Sequence, residues 1–208
     1  MKPVQPVGKG SAGRVIAGSA RGTRLLAPGD GTRPHADRVK QTLFAIVEPV
    51  LRDALVLDLF AGSGSGGIEA LSRGARGVTF VEHDATAVRA IVTNLERAHL
   101  SGPGAIVVRA DVLAWLGAVG AGAPRAAGPF ALVLVDPPYD RSALLRGTLE
   151  RLGRPGAPLT RGAIVVAKHF WRDAPPDRIG LLASARTRRF GETALSFFGL
   201  VDEAEAEA

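Results

Sequence analysis

The stretch that decides the fold is Val56-Leu57-Asp58-Leu59-Phe60-Ala61-Gly62-Ser63-Gly64-Ser65-Gly66-Gly67-Ile68. An apolar run typical of a strand passes directly into a glycine-rich turn, and the turn opens a helix. Glycine is needed there because a sharp turn requires positive φ, and because a ligand can approach the backbone only where no Cβ intervenes. The stretch predicts a cofactor site at the start of an α/β domain, although the same layout serves several cofactors.

The chain after this stretch alternates between short apolar runs and amphipathic segments, as parallel strands buried on both faces and their helices do. Strands are predicted at Leu55–Phe60, Gly77–Glu82, Ala105–Arg109, Phe130–Asp136 and Gly162–Ala167, and helices at Gly66–Arg73, Ala85–His99, Val112–Leu116 and Ser142–Leu152. Gly117–Gly128 and Arg154–Pro158 are predicted surface connections, and Arg178–Val201 a final antiparallel pair. This order predicts a doubly wound α/β sheet.

The N-terminal part is basic. Residues 13–27 predict a β-hairpin arm outside the core, and a helix should follow from Asp37 until Pro49 stops it. The first 40 residues contain eight basic side chains against two acidic ones. A polyanionic partner is favoured, and a generic basic surface is the alternative. We therefore divide the chain into a basic arm at 1–50, a catalytic domain at 51–201 and an acidic tail at 202–208.

Composition excludes several classes of site. The 208 residues include no cysteine, which rules out disulfides and thiolate metal centres. The four histidines, His35, His83, His99 and His169, lack metal-ligand spacing, so no metal is expected. No apolar run approaches the ~18 residues of a membrane span. We expect a cytoplasmic protein.

Three acidic residues stand at predicted strand ends, where an open α/β sheet forms its ligand crevice. Asp58 could meet a cationic ammonium group but would repel a pyrophosphate, which favours S-adenosylmethionine over a dinucleotide. Glu82 could accept both ribose hydroxyls, or be only an exposed strand end. Asp111 could accept an adenine amino group, or cap the helix that begins at Val112.

The most specific motif is Asp136-Pro137-Pro138-Tyr139, at the end of a continuous apolar strand. An exocyclic amino group on a base is a poor nucleophile until hydrogen-bond acceptors draw on its protons. Asp136 supplies one acceptor, and the rigid prolines present the Pro137 carbonyl as a second. Tyr139 offers a face on which an unpaired base can stack. The motif predicts methyl transfer to a base nitrogen, although it could merely end a strand with a stiff turn.

The chain resembles the RsmD-type 16S ribosomal RNA guanine-N2 methyltransferases, within the Rossmann-like class I methyltransferases. The resemblance covers nearly the whole length and rests on five motifs. They are Arg14-Val15-Ile16-Ala17-Gly18-Ser19-Ala20-Arg21-Gly22, residues 33–44 from Arg33-Pro34 to Leu43-Phe44, Asp58-Leu59-Phe60-Ala61-Gly62-Ser63-Gly64, Glu69-Ala70-Leu71-Ser72-Arg73-Gly74-Ala75 and Asp136-Pro137-Pro138-Tyr139. It implies a seven-stranded, mostly parallel sheet with helices on both faces.

The resemblance also implies site residues. It implies that Phe60, Ala61, Gly62, Gly64, Glu82 and Asp111 line the cofactor pocket, that Asp136, Pro137, Pro138 and Tyr139 hold the target guanine, and that Arg33, Asp37 and Arg38 bridge the arm and the active-site mouth. Beyond the resemblance, we add Asp58, Ser63, His83 and Val112 to the cofactor set. We expect Arg14, Arg21, Arg24, Arg33, Arg38, Lys40 and Lys168 to bind the RNA. In this chain Ala167-Lys168-His169 follows the fifth strand, where relatives often carry a glutamate, so a carboxylate role there is in doubt.

The primary hypothesis is methyl transfer from S-adenosylmethionine to guanine N2 in 16S ribosomal RNA, by a monomer acting on the RNA, the 30S subunit or an assembly intermediate, with no membrane association. Three alternatives stay open. The same chemistry could act on adenine N6 or cytosine N4 of DNA. The glycine turn and Glu82 also tolerate a nicotinamide-dependent oxidoreductase. A ribosome-assembly factor could keep the fold and bind RNA without catalysis.

Overall fold

The structure is a computed structural model that describes residues 10–29, 37–120, 128–138 and 141–201. Its strands are β1 (Ser11–Arg14), β2 (Arg24–Leu26), β3 (Leu55–Leu59), β4 (Gly77–Glu82), β5 (Ala105–Arg109), β6 (Phe130–Val135), β7 (Leu159–Phe170), β8 (Arg178–Ile179), β9 (Leu182–Phe190) and β10 (Thr193–Leu200). Its helices are α1 (Asp37–Leu51), α2 (Ser65–Ser72), α3 (Ala85–Arg97), α4 (Val112–Gly120) and α5 (Ser142–Leu152). Within these ranges no helix has both the length and the apolar character needed to cross a bilayer.

The main sheet has eight strands in the order β5-β4-β3-β6-β7-β10-β9-β8. Strands β3 to β7 run parallel, and β10, β9 and β8 join them antiparallel. Helices α1, α2 and α3 cover one face, and α4 and α5 cover the other. The doubly wound α/β prediction is confirmed, and the eighth strand is the two-residue β8. The strand order reverses between β3 and β6, where such sheets open their ligand crevice.

The largest errors in the predicted boundaries concern α1, β7 and α4. Helix α1 runs past Pro49 to Leu51, because a proline in the last turn removes only one backbone hydrogen bond and Leu51 is buried against the sheet. Strand β7 is twelve residues long, because β10 pairs with it out to Phe170. Helix α4 continues to Gly120, into the predicted connection, while residues 121–127 lie outside the described residues.

The basic hairpin β1–β2 shares the core of the sheet, so the prediction of an arm outside the core is wrong for residues 10–27. Val15 and Leu25 are both 1% exposed and belong to the same apolar cluster as α1, α2 and α3. Polar contacts fix the backbone between them. Glu69 on α2 accepts hydrogen bonds from the Ile16 and Ala17 N–H groups, at 2.8 and 3.0 Å. The tail at 202–208 lies outside the described residues.

Candidate functional site

The glycine turn between β3 and α2 adopts the strained backbone that a ligand site often needs. Phe60 has φ of 58°, a conformation that is uncommon for a side chain of its size. Gly64 has φ of 76° and precedes the first residue of α2. The Gly64 N–H donates to the Ala61 carbonyl at 2.7 Å, which closes the turn. The turn therefore holds its backbone at the carboxyl edge of β3 without help from a ligand.

Asp58 lies at the floor of this turn, with only 4% of its surface exposed. Its Oδ2 accepts a hydrogen bond from the Gly67 N–H at 2.8 Å. Burial, aided by the negative charges of Asp136 and Glu82, raises the pKa of Asp58 to about 8, although the bond from Gly67 opposes the shift. A buried carboxylate without a cationic partner is unfavourable, so a cation in the adjoining cavity would be stabilised. This supports the ammonium-binding role predicted for Asp58.

Glu82 ends β4 beside the turn and is 6% exposed. Its Oε2 accepts from the Gly62 N–H at 2.9 Å, and its Oε1 accepts from the Asp84 N–H at 2.9 Å. His83 places Nδ1 2.9 Å from Oε1, while most of its ring stays exposed. The carboxylate is thus oriented by the glycine turn itself. The predicted contact with ribose hydroxyls would be made from this fixed position.

Asp111 acts as a helix cap, the alternative that the sequence left open. Its Oδ1 accepts from the Ala114 N–H at 2.9 Å in the first turn of α4, and its side chain is exposed. Val112 is 3% exposed and packs in the core cluster beneath α4. One carboxylate oxygen of Asp111 therefore has a structural partner already, and an adenine contact stays a prediction.

Asp136 stands at the end of β6, next to β3. Its backbone N–H reaches the Leu59 carbonyl at 3.4 Å, so the two strand ends are held side by side. The ammonium of Lys168 on β7 lies 3.0 Å from Oδ1 and 3.1 Å from Oδ2 of Asp136. Lys168, predicted to bind RNA, instead engages the predicted catalytic carboxylate. The side chain of Lys168 is 17% exposed and that of Asp136 is 28% exposed.

The prolines after Asp136 differ in exposure: Pro137 is buried and Pro138 is exposed. The Pro138 carbonyl accepts from the Arg141 N–H at 3.1 Å, which closes the turn before α5. Tyr139 lies outside the described residues. The roles of the Pro137 carbonyl and of the Tyr139 ring therefore stay predictions.

One cavity joins the glycine turn to the Asp136 edge. Its empty volume is about 810 Å³, which includes space open to solvent at its mouth. The predicted site residues that line it are Asp58, Phe60, Ala61, Gly62, Ser63, Lys40, Asp136 and Lys168. The remaining wall is mostly apolar, and α1 and β10 contribute Phe44 and Leu195 to it. No local sequence pattern indicates that the last strand of the fold reaches this cavity.

The predicted RNA contacts fall into three groups. Arg14, Arg21, Arg24 and Arg38 are exposed, and Arg33 lies outside the described residues. The prediction for Lys40 is wrong, because this side chain is 3% exposed and cannot reach a phosphate on the surface. Its ammonium donates to Ser65 Oγ at 3.1 Å and lies 3.3 Å from Glu69. Burial lowers the pKa of Lys40, and the charge of Glu69 opposes that shift.

Glu69 and Asn94 are structural residues of the site to which the sequence assigned no role. Glu69 is fully buried and also binds Arg73 Nε at 2.8 Å. Asn94 on α3 accepts from the Leu26 N–H at 2.8 Å and donates to the Ser63 carbonyl at 2.9 Å, so it ties the hairpin to the glycine turn. The sequence feature that could have indicated these structural roles is a lone polar residue on the apolar face of each helix.

Comparisons with known proteins identify the family. A family model described as conserved hypothetical protein 95 matches residues 13–199. The chain belongs to this family. The "Ribosomal RNA small subunit methyltransferase D" of Escherichia coli strain K12 is 41% identical over 140 residues, which cover 67% of this chain and 66% of that protein. The chain thus spans just under two thirds of that relative.

Solved structures agree with this membership in the conserved hypothetical protein 95 family. The Escherichia coli yhhF protein, to which a methyltransferase role has been assigned, has a TM-score of 0.76 and 32% identity over 92% of this chain and 98% of its own. SMU.776, solved with S-adenosylhomocysteine, is only 14% identical but shares the fold, with a TM-score of 0.58 over 77% of this chain and 48% of its own. The predicted Rossmann-like methyltransferase fold is confirmed.

Proposed function

We propose that this protein transfers a methyl group from S-adenosylmethionine to the exocyclic N2 amino group of a guanine in 16S ribosomal RNA during maturation of the small ribosomal subunit. The observation that carries the proposal is the single cavity shared by the glycine turn and Asp136. The name of the Escherichia coli relative supports small-subunit ribosomal RNA as the substrate. The choice of guanine N2 rests on the family resemblance together with the chemistry of the Asp-Pro-Pro-Tyr motif.

Asp58, which lines the cavity, and Glu82, which is bonded to the glycine turn beside it, fit the cofactor. Asp58 would pair with the methionine ammonium, because its buried carboxylate gains a cation there. Glu82 would receive the ribose hydroxyls, since the Gly62 and Asp84 N–H groups already fix its carboxylate. Gly62 lines the cavity and has no Cβ to obstruct a ligand that approaches the backbone. When bound, the cofactor supplies a methyl group on a sulfonium leaving group, so no metal is required.

Asp136 would act on the amino group of the base. A carboxylate has about four lone-pair sites on its two oxygens, so it can accept an amine hydrogen while it keeps its contact with Lys168. Accepting that hydrogen bond would draw electron density toward the nitrogen and make its lone pair available toward the methyl group, and the proton that the nitrogen loses on methylation would pass to Asp136. Lys168 would act as a positioning residue, because its ammonium fixes both carboxylate oxygens. The catalytic contribution of the chain is mainly orientation and charge stabilisation.

The exposed arginines of the hairpin would hold the RNA. Arg14, Arg21 and Arg24 lie on residues 11–26, whose backbone is anchored to the catalytic domain through Glu69 and Asn94. An RNA bound to these arginines would therefore sit at a fixed position relative to the cavity. Arg14 also pairs with Asp37 at 3.0 Å, which orients its guanidinium at the start of α1.

The test is methyl transfer with labelled S-adenosylmethionine to unmodified 16S ribosomal RNA and to unmodified 30S particles. The wild-type protein should label guanine in at least one of them. Asp136→Asn should reduce transfer by roughly 100-fold or more, because the isosteric amide carries no negative charge toward the amine. Its affinity for S-adenosylhomocysteine should stay within about threefold of wild type. Transfer to DNA alone, or no transfer to either RNA substrate, would overturn the proposal.

A further inference from the structure

Strand β9 presents arginines outside the cavity whose role the proposed chemistry leaves open. Arg186, Arg188 and Arg189 are all exposed. Strand β9 lies next to the edge of the sheet, and its outer neighbour β8 pairs only with Leu182 and Ala183. The arginine segment is therefore open on its outer side within the described part of the chain.

The register of the sheet connects these arginines to the site. Arg188 pairs with Leu195 on β10, and Leu195 pairs with Lys168 on β7, whose ammonium contacts Asp136. One row of side chains thus runs from Asp136 to Arg188. Strands lie about 4.8 Å apart, which puts the Arg188 backbone roughly 14 Å from that of Asp136. Arg186 occupies the next row on the same face.

A β-bulge sets the direction in which the arginines point. Leu182 and Ser184 pair with Leu200 and Phe198, whose side chains belong to the core under α4 and α5. Simple alternation would send Arg186 to that face as well. The register shifts between Phe197 and Phe198, and the additional residue, Ala185, moves Arg186 to the face of α1 and the cavity.

Side-chain contacts support this assignment of faces. Thr187, between the two arginines, meets Ser196 at 3.0 Å, and Ser196 meets His169 Nε2 at 2.9 Å. These three side chains lie on the face away from the cavity, because their strand neighbours Leu195 and Lys168 line it. The alternate positions Arg186 and Arg188 therefore share the cavity face.

Exposed arginines lie on both sides of the cavity. Hairpin β1–β2 packs on α2 and α3, which lie over β4 and β5, whereas β9 lies beyond β10 on the other side of the cavity. The hairpin presents Arg14, Arg21 and Arg24, and β9 presents Arg186 and Arg188. Among residues 10–29, 37–120, 128–138 and 141–201, no acidic side chain forms a salt bridge with either β9 arginine.

We propose that Arg186 and Arg188 form a second phosphate-binding track for the single-stranded RNA that carries the target base. The hairpin would hold the RNA on one side of the cavity and β9 on the other, so that the base between them enters beside Asp136. Two separated backbone contacts fix the register of a strand more tightly than one. This inference rests on the proposed function, because it takes the substrate to be RNA.

The test compares Arg186→Ala/Arg188→Ala with a matched control, Arg52→Ala/Arg76→Ala. The control arginines are exposed and stand just before β3 and β4, at the sheet edge opposite the cavity. The probe is a naked 16S ribosomal RNA transcript, and binding is measured between 50 and 300 mM salt. Thermal melting and S-adenosylhomocysteine affinity verify that each variant is folded.

The β9 variant should bind the transcript roughly tenfold more weakly, and the slope of log affinity against log salt should fall by about 1.4, for two phosphate contacts to a single strand. The control should stay within twofold of wild type. Equal binding by both variants would overturn the inference even if wild type methylates RNA. Binding needs no turnover, so a wild type that binds through β9 but transfers no methyl group would overturn only the proposed function.

Discussion

Ionisation of Asp58 should make cofactor affinity depend on pH. Burial is the chief cause that raises the pKa of Asp58 to about 8, so the carboxyl group is mostly protonated at neutral pH. A ligand ammonium favours the ionised form, and binding must therefore release a proton. Affinity should rise as pH rises toward 8, because less free energy is spent on removing that proton.

The expected change of Kd with pH follows from the raised pKa of Asp58. Between pH 5.5 and 7 the ligand's own α-amino group stays protonated, since such groups titrate at roughly 7.7–8.0. Each pH unit in this window should tighten binding about tenfold, so the Kd for S-adenosylhomocysteine should fall about 30-fold from pH 5.5 to pH 7. Asp58→Asn keeps an oxygen that can accept from the Gly67 N–H but has no proton to release. It should lose the slope and bind roughly tenfold more weakly at pH 7.

The raised pKa of Asp58 predicts that stability, unlike cofactor affinity, falls as pH rises. The pKa of Asp58 is about 8 in the folded protein and near 4 in the unfolded chain. Its contribution to stability is therefore complete below pH 4 and is lost as pH rises toward 8. Asp58→Asn should therefore raise the free energy of unfolding of the empty protein at pH 7, by roughly 2–4 kcal/mol. The residue would stabilise the bound cofactor at the expense of the empty fold.

The assay is isothermal titration calorimetry at pH 5.5, 6.25 and 7, in two buffers with different enthalpies of ionisation. The wild type should release close to one proton per bound ligand throughout this pH range. The Asp58→Asn variant should release no proton on binding. Urea unfolding at pH 7 gives the stability comparison. A wild-type affinity that does not change with pH, or a slope that persists in the Asn variant, would refute the reasoning.

Three further perturbations have defined outcomes. Glu69→Gln should lower the free energy of unfolding by roughly 3 kcal/mol in urea melts, because Lys40 and Arg73 lose a buried partner. The control Glu150→Gln, on the exposed face of α5, should lower it by less than about 0.5 kcal/mol. Equal losses in the two variants would contradict the role of Glu69 in anchoring the hairpin. Gly67→Ala would put its Cβ 2.3 Å from a ring carbon of β4 and should destabilise by roughly 2 kcal/mol or more, while Gly117→Ala, with open space at the same position, should be neutral or stabilising. Lys168→Ala should lower kcat for RNA methylation by roughly 10- to 100-fold with S-adenosylhomocysteine affinity unchanged, since a misplaced carboxylate affects orientation rather than cofactor binding; an unchanged kcat would remove its positioning role.

The central sheet could be predicted from the sequence because its signals are local. Strand β4, strand β5 and helix α5 have the bounds that the apolar runs and amphipathic segments indicate. The glycine turn and the Asp136 motif likewise follow their strands directly. Parallel order then brings both motifs to one edge, so the shared cavity follows from topology and needs no further information.

The remaining features depend on long-range contacts, which a local pattern does not contain. Burial of Lys40 requires Glu69, which lies 29 positions away and on another helix. Arg186 and Arg188 lie on the cavity face of the sheet only because of the bulge at Ala185, and no residue type there marks the bulge. Docking of the hairpin likewise depends on buried polar partners on α2 and α3.

The most direct measurement of the central claim is a crystal structure of the protein with S-adenosylhomocysteine. The account predicts that the ligand ammonium contacts Asp58, its ribose hydroxyls contact Glu82, and its sulfur faces the space beside Asp136. A ligand bound elsewhere, or with its sulfur turned away from Asp136 so that no base could stand between them, would contradict the account.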